Sequence, residues 1–94
     1  MKHDLACDSV GLRSEVAICR AWIRLACRPT KGIRGNANSY ALKHAVEAWS
    51  AKAWEHAYIS NGAFIAAAVA EGYRGAPAFK GSPNACFALR VVGA

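Results

Sequence analysis

A repeat of about 3.6 residues runs through residues 14–27 and is the clearest pattern on the chain. Ile18, Cys19, Trp22, Ile23, Leu25 and Ala26 fall on one broad arc, while Arg20 and Arg24 fall opposite and Arg28 extends their row. An apolar arc backed by a cationic row defines an amphipathic helix. Ser14 offers an N-cap hydroxyl and Glu15 an anion for the first turn. Pro29 stops the helix, because the residue before a proline is pushed out of the α region. Residues 1–13 carry no sustained period and are expected as a loose N-terminal arm.

Residues 28–39, RPTKGIRGNANS, read as a loop that combines turn formers (Pro29, Gly32, Gly35) with cations (Arg28, Lys31, Arg34). They contain no Walker pattern. Asn38 or Ser39 can cap a second helix, predicted over 39–57. Leu42, Ala45, Val46, Trp49, Ala53 and Ala57 line its expected core stripe, and Tyr40, His44, Glu47, Trp54 and Tyr58 lie on or near the other side. Aromatics off the core stripe are unusual for a free surface. They predict either a covering helix or a partner site made by Tyr40, Trp54 and Tyr58.

Residues 58–73, YISNGAFIAAAVAEGY, predict a short third helix over 60–71. Ser60 is its natural N-cap and Gly72 the left-handed residue after its end. Phe64, Ile65, Ala68 and Val69 form the expected buried stripe. Ala63, Ala66, Ala67 and Ala70 fill the rest and offer nothing to a base edge, which must be read by a hydrogen-bonding side chain. Only Asn61 and Glu71 qualify, so this helix reads as a packing strut. The tail changes period: Phe87, Leu89 and Val91 alternate with Ala88 and Arg90, as in a half-buried strand. Residues 78–80 are its expected partner across the turn formers Gly81, Pro83 and Asn84, giving a β-hairpin near 77–92.

The predicted fold class is α+β, mainly α: one domain spanning 1–94, helical over 14–76, closed by a C-terminal hairpin. Three helices and a hairpin is the order of a winged helix-turn-helix, and also of unrelated α+β domains. Composition agrees with a packed domain: 54% of the 94 residues are apolar, with three each of Trp, Tyr and Phe. No apolar leader opens the chain and no run is long enough to span a bilayer, so a cytoplasmic location away from membranes is expected. Cys7, Cys19, Cys27 and Cys86 form no C-x-x-C pair. Cys19 and Cys27 lie ~12 Å apart along one helix at ~1.5 Å per residue. They read as small buried hydrophobes in a reducing compartment, with no metal and no cofactor implied.

The segments SYALKHAVEAW, YISNGAFIAAAVAEGY and SPNACFAL, spread over residues 39–89, resemble a small bacterial family seen in phages and other mobile elements. Its pattern is a Ser-Tyr-x-Leu-Lys-His helix, a Ser-Asn-Gly-Ala-Phe-Ile helix start and a Pro-Asn-x-x-Phe strand. This chain departs from it at SAKAWEHA, which lengthens the second helix. The resemblance implies a setting, an accessory or regulatory protein of a mobile element, and no mechanism.

Twelve Lys and Arg against six Asp and Glu leave a net charge of +6. Such a balance favours polyanionic partners. Arg20, Arg24 and Arg28 stack at i, i+4, i+8, Lys31 and Arg34 continue into the loop, and Lys80 and Arg90, with Arg74, would decorate the hairpin. This is a phosphate-tracking strip that positions nucleic acid without reading its sequence. The competing reading is a protein-interaction module, an inhibitor or adaptor that meets an acidic protein surface through Tyr40, Trp54 and Tyr58 or pairs with a copy of itself as a homodimer. Catalysis is not expected. His44 and Glu47 have acid–base spacing, but no metalloprotease, nucleophile-elbow or paired-carboxylate motif accompanies them. Tyr40, Lys43 and His44 are expected to point in different directions, and His56 reads as a core histidine.

Overall fold

The computed structural model describes residues 2–53 and 58–93, with side chains from Ser14 onward. Three helices and four short strands follow one another: α1 (Lys2–Ala26), β1 (Cys27–Pro29), α2 (Ser39–Ala53), α3 (Asn61–Ala70), β2 (Gly75–Pro77), β3 (Ala85–Phe87) and β4 (Leu89–Val91). The expected α+β, mainly α, architecture is therefore present. No described helix is long and apolar enough to cross a membrane.

α1 corrects the first boundary. The backbone is helical from Lys2, so the stretch expected as a loose arm continues the helix, and Ser14 is an interior exposed residue rather than a cap. Once a helix is nucleated, each further residue adds one hydrogen bond at little cost, and no proline interrupts before Pro29. Glu15 consequently serves no helix terminus of its own. Its Oε1 accepts the Ser60 N–H at 2.9 Å and so fixes the entry to α3.

The α1–α3 contact is the main helix interface. Ile18, Cys19, Trp22, Ile23 and Ala26 meet Ala63, Phe64, Ala67 and Ala68, all buried. The expected stripe on α3 is thus rotated: Ala63 and Ala67 face the core, while Ile65 is half-buried and Val69 is exposed. Alanines without side-chain bulk let the two backbones approach, and that closeness decides which face turns inward. Leu25, at the edge of the α1 arc, is likewise exposed. Both ends of α3 follow the sequence. Ser60 Oγ accepts the Ala63 N–H at 3.1 Å. Gly72, at φ 89°, closes a Schellman motif in which its N–H reaches the Val69 carbonyl and the Tyr73 N–H the Ala68 carbonyl.

On α2 the cap is Asn38, whose Oδ1 accepts the Tyr40 N–H at 2.8 Å. Ser39 is buried, and its Oγ accepts the Ala85 N–H at 3.0 Å, joining α2 to β3. The buried face is Ser39, Leu42, Lys43, Val46 and Ser50. Ala45 and Ala53 are exposed and Trp49 is half-buried, a rotation away from the expected stripe and toward Lys43. The expected extension of this helix over 54–57, with Trp54 and His56, lies outside the described residues.

The hairpin is also shifted. β2 pairs with β3 in antiparallel register (Gly75↔Phe87, Ala76↔Cys86, Pro77↔Ala85), so the partner strand lies immediately before the expected 78–80 in sequence. β4 leaves it to pair with β1 (Cys27↔Val91, Arg28↔Arg90, Pro29↔Leu89). Ala88 is the junction: its N–H donates to the Arg74 carbonyl and its carbonyl accepts the Thr30 N–H. Because Phe87, Ala88 and Leu89 are all buried and Val91 is exposed, the simple alternation expected here breaks at the point where the strand changes partner. Strand β1 was not legible in the sequence. Pro29 holds Arg28 extended, and only the returning β4 makes that extension a strand.

Candidate nucleic-acid interface

The cationic row of α1 divides when it is placed in three dimensions. Arg20 Nε donates to Glu71 Oε2 at 2.6 Å, and Arg24 Nε lies 3.0 Å from both Glu71 oxygens. Glu71 is the C-cap of α3, an end where the helix dipole disfavours an anion. The guanidiniums of Arg24 and Arg20 offset that and hold its carboxyl below the usual carboxylate value. These two arginines stitch α1 to α3. They are not the freely solvated cations expected from the helical wheel, and their removal would touch stability as well as charge.

Arg28 begins a different surface. Its Nη1 donates to the carbonyls of Cys27 at 2.7 Å and Arg24 at 3.3 Å. Across the β1–β4 ribbon it stands directly opposite Arg90. The flanking bonds, Thr30 N–H to Ala88 carbonyl and Val92 N–H to Ala26 carbonyl, make Arg28↔Arg90 a hydrogen-bonded pair. Their Cα atoms are then ~5.5 Å apart on one face. Both are exposed, whereas Cys27 and Leu89 on the other face are buried. Like charges set opposite each other on a sheet are destabilising. Arg74 joins this group by donating to the Lys31 carbonyl, and the Arg34 N–H donates to the Phe87 carbonyl at 3.1 Å. Among the described residues no carboxylate pairs with Arg28, Lys31, Arg34, Arg74 or Arg90.

Beside this ribbon lies a half-enclosed cavity of about 270 Å³, lined by Arg34, Asn36, Ala37, Leu42, Leu89, Arg90 and Val91. Arg34 Nε donates to Asn36 Oδ1 at 3.3 Å. Lys80 does not belong to this group. It sits in the β2–β3 turn, which Asn61 Nδ2 ties to the start of α3 through the Pro83 carbonyl at 3.0 Å, whereas Arg74 follows the end of α3. The ten residues of α3 separate those ends by ~15 Å at ~1.5 Å per residue.

A helix-turn-helix would present α3 to a groove. The outward positions of α3 are Gly62, Ile65, Ala66, Val69 and Ala70, and Ile65 and Val69 instead wall an apolar groove of about 230 Å³ against Gly75, Pro77, Pro83 and Phe87. The strut reading of α3 stands.

Two residues of the other expected site, Tyr40 and Tyr58, lie on either side of one cation. Lys43 is buried and its Nζ lies 3.1 Å from Glu47 Oε2, 5.5 Å from the Tyr40 ring centre and 5.3 Å from the Tyr58 ring centre. His44 Nδ1 lies 2.9 Å from Glu47 Oε1, and its ring meets Tyr40 edge-on at 4.7 Å. Tyr40, Lys43 and His44 therefore converge around Glu47 rather than diverging as expected. Glu47 Oε2 also accepts the Ile59 N–H at 2.9 Å. Burial pushes the Glu47 carboxyl up, but the Ile59 N–H, the Lys43 ammonium and the His44 ring outweigh it and leave it low. All three partners are internal, so the carboxylate holds the α2–α3 connection together. Tyr40 and Tyr58 are exposed above it, and Trp54 lies outside the described residues.

Cys19, Cys27 and Cys86 are buried free thiols. Burial, with the Glu15 charge adding to it, pushes Cys19 up to about 12, and burial pushes Cys27 to about 11 against the pull of Arg28. Comparison with protein-family models, with curated proteins and with solved structures found no match to this chain.

Proposed function

We propose that the protein binds nucleic acid, mainly through phosphate contacts, on the surface formed by Arg28, Lys31, Arg34, Arg74 and Arg90, as a small accessory or regulatory protein of a mobile element. The observation that carries this reading is the pairing of Arg28 with Arg90 across the β1–β4 ribbon with no carboxylate beside them among the described residues. A facing pair of like charges costs stability in the free protein, and a bound polyanion relieves it. The residues supply charge and positioning. They do not supply a base-reading helix, so the binding is sequence-tolerant.

The test is binding of a labelled oligonucleotide of random sequence over a series of salt concentrations. The triple variant Arg28→Gln, Arg34→Gln, Arg90→Gln should bind all sequences more weakly. It should also flatten the dependence of log K on log salt by ~0.9 for each duplex-DNA phosphate that is no longer neutralised. Arg20→Gln and Arg24→Gln should leave that slope nearly unchanged. If wild type fails to bind at low salt, the reading is overturned. The protein-interaction alternative, through Tyr40 and Tyr58, then takes its place. The convergence of Lys43 and His44 on Glu47 beneath those rings favours it as second choice.

A further inference from the structure

The geometry points to the cavity beside the β1–β4 ribbon as a pocket for one unstacked nucleobase, which makes the preferred ligand a single strand rather than a duplex. The inference rests on the nucleic-acid reading above and goes further by naming the form of the ligand. The cavity joins two unlike surfaces. Arg34 and Arg90 stand at it as cations, Val91 supplies exposed aliphatic wall, and the buried core residues Ala37, Leu42 and Leu89 lie behind it as the floor. A phosphate alone gains from the cations and nothing from the wall. A base gains from both, since burying its ring faces removes apolar surface from water and an arginine plane can stack on it. At about 270 Å³ the space is several times the ~30 Å³ share of one water, so it has room for a ring system. Asn36 adds an amide at the same site. Its Oδ1 accepts from Arg34 Nε, so its Nδ2 donors remain for a base edge, and no described residue accepts from them. The neighbouring Arg28, opposite Arg90, is placed to take the phosphate that follows. Bases within a duplex stay paired and stacked, and extruding one costs a few kcal/mol. A duplex therefore reaches the cations but not the cavity.

The experiment uses fluorescence anisotropy with the full chain at fixed ionic strength and three probes of equal phosphate count: a mixed-sequence single strand, its duplex, and a single strand carrying abasic residues throughout. The base-bearing single strand should bind about fivefold to tenfold more tightly than the abasic one, the order of one buried base contact. Val91→Ala and Asn36→Ala should narrow that ratio while leaving the salt slope intact. Val91 is about half exposed, so its truncation leaves the core in place, and retained helical circular dichroism will verify this. Equal affinity for base-bearing and abasic strands, with a normal salt slope, would overturn the pocket and leave the phosphate reading standing. Absence of binding by all three probes would overturn both.

Discussion

Gly75 faces Phe87 directly across the β2–β3 hairpin, and the phenyl ring lies over the glycine: a Cβ built on Gly75 would stand 2.5 Å from Phe87 Cε1 and 2.6 Å from Cδ1. The bonds on either side, Ala88 N–H to Arg74 carbonyl and Ala78 N–H to Asn84 carbonyl, place the pair at a non-hydrogen-bonded position, where strands come closest. Phe87 in turn meets Phe64 edge-on at 6.2 Å, and Phe64 meets Trp22 in the same way at 6.2 Å. Gly75→Ala should therefore displace the ring and cost about 1–3 kcal/mol, the range for overpacking a filled site. Urea denaturation measures this. The cost should shrink when Phe87→Leu is added, and a cycle that shows the two changes simply adding would contradict the contact.

Phe64 is the centre of that aromatic chain and is fully buried. Phe64→Ala should cost roughly 3–5 kcal/mol, a large share of the total for a domain this small. A melting temperature within a degree of wild type would show that α3 is peripheral.

Glu71 makes stability depend on acid pH. Its carboxyl sits below the ordinary value of 4.5 because Arg24 and Arg20 hold it. A depressed carboxyl contributes stability above the unfolded value and loses it as pH falls through the lowered folded one. Arg24 is largely exposed, so the contribution should be no more than about 1 kcal/mol. Glu71→Gln should lower stability at pH 7 and follow wild type closely at pH 2–3. A gap between the two proteins that stays constant across that range would refute the assignment.

Cys19 and Cys27 should behave as inert core thiols. With values of about 12 and about 11 against an ordinary 9.0, they favour folding fully below pH 9, and that contribution fades as pH rises toward 11–12. Iodoacetamide at pH 8 should modify them only after denaturant is added, as read by peptide mass spectrometry. Rapid alkylation of either in the native protein would contradict the burial.

Much of the fold was legible in local chemistry. The cap at Ser60, the left-handed Gly72 and the apolar arc of α1 each depend on residues within one or two turns of each other, and each occurs as the sequence indicated except that Leu25, at the edge of the arc, is exposed. The two periods along the chain likewise indicated helices followed by a strand-bearing tail, the α+β, mainly α class that the structure has. What the sequence by itself left open were relations between distant residues. Which face of α3 turned inward depended on how closely α1 could approach its alanines. Whether residues 27–29 formed a strand depended on β4, at the far end of the chain. The cationic row seen on a helical wheel was divided by Glu71, which lies at the end of another helix and takes Arg20 and Arg24 into the α1–α3 packing. The exposed cationic surface, with Arg28 facing Arg90 and Arg34 beside their cavity, exists only because the chain returns on itself. Periodicity records the neighbours of a residue along the chain, and charges and cavities are decided by its neighbours in space.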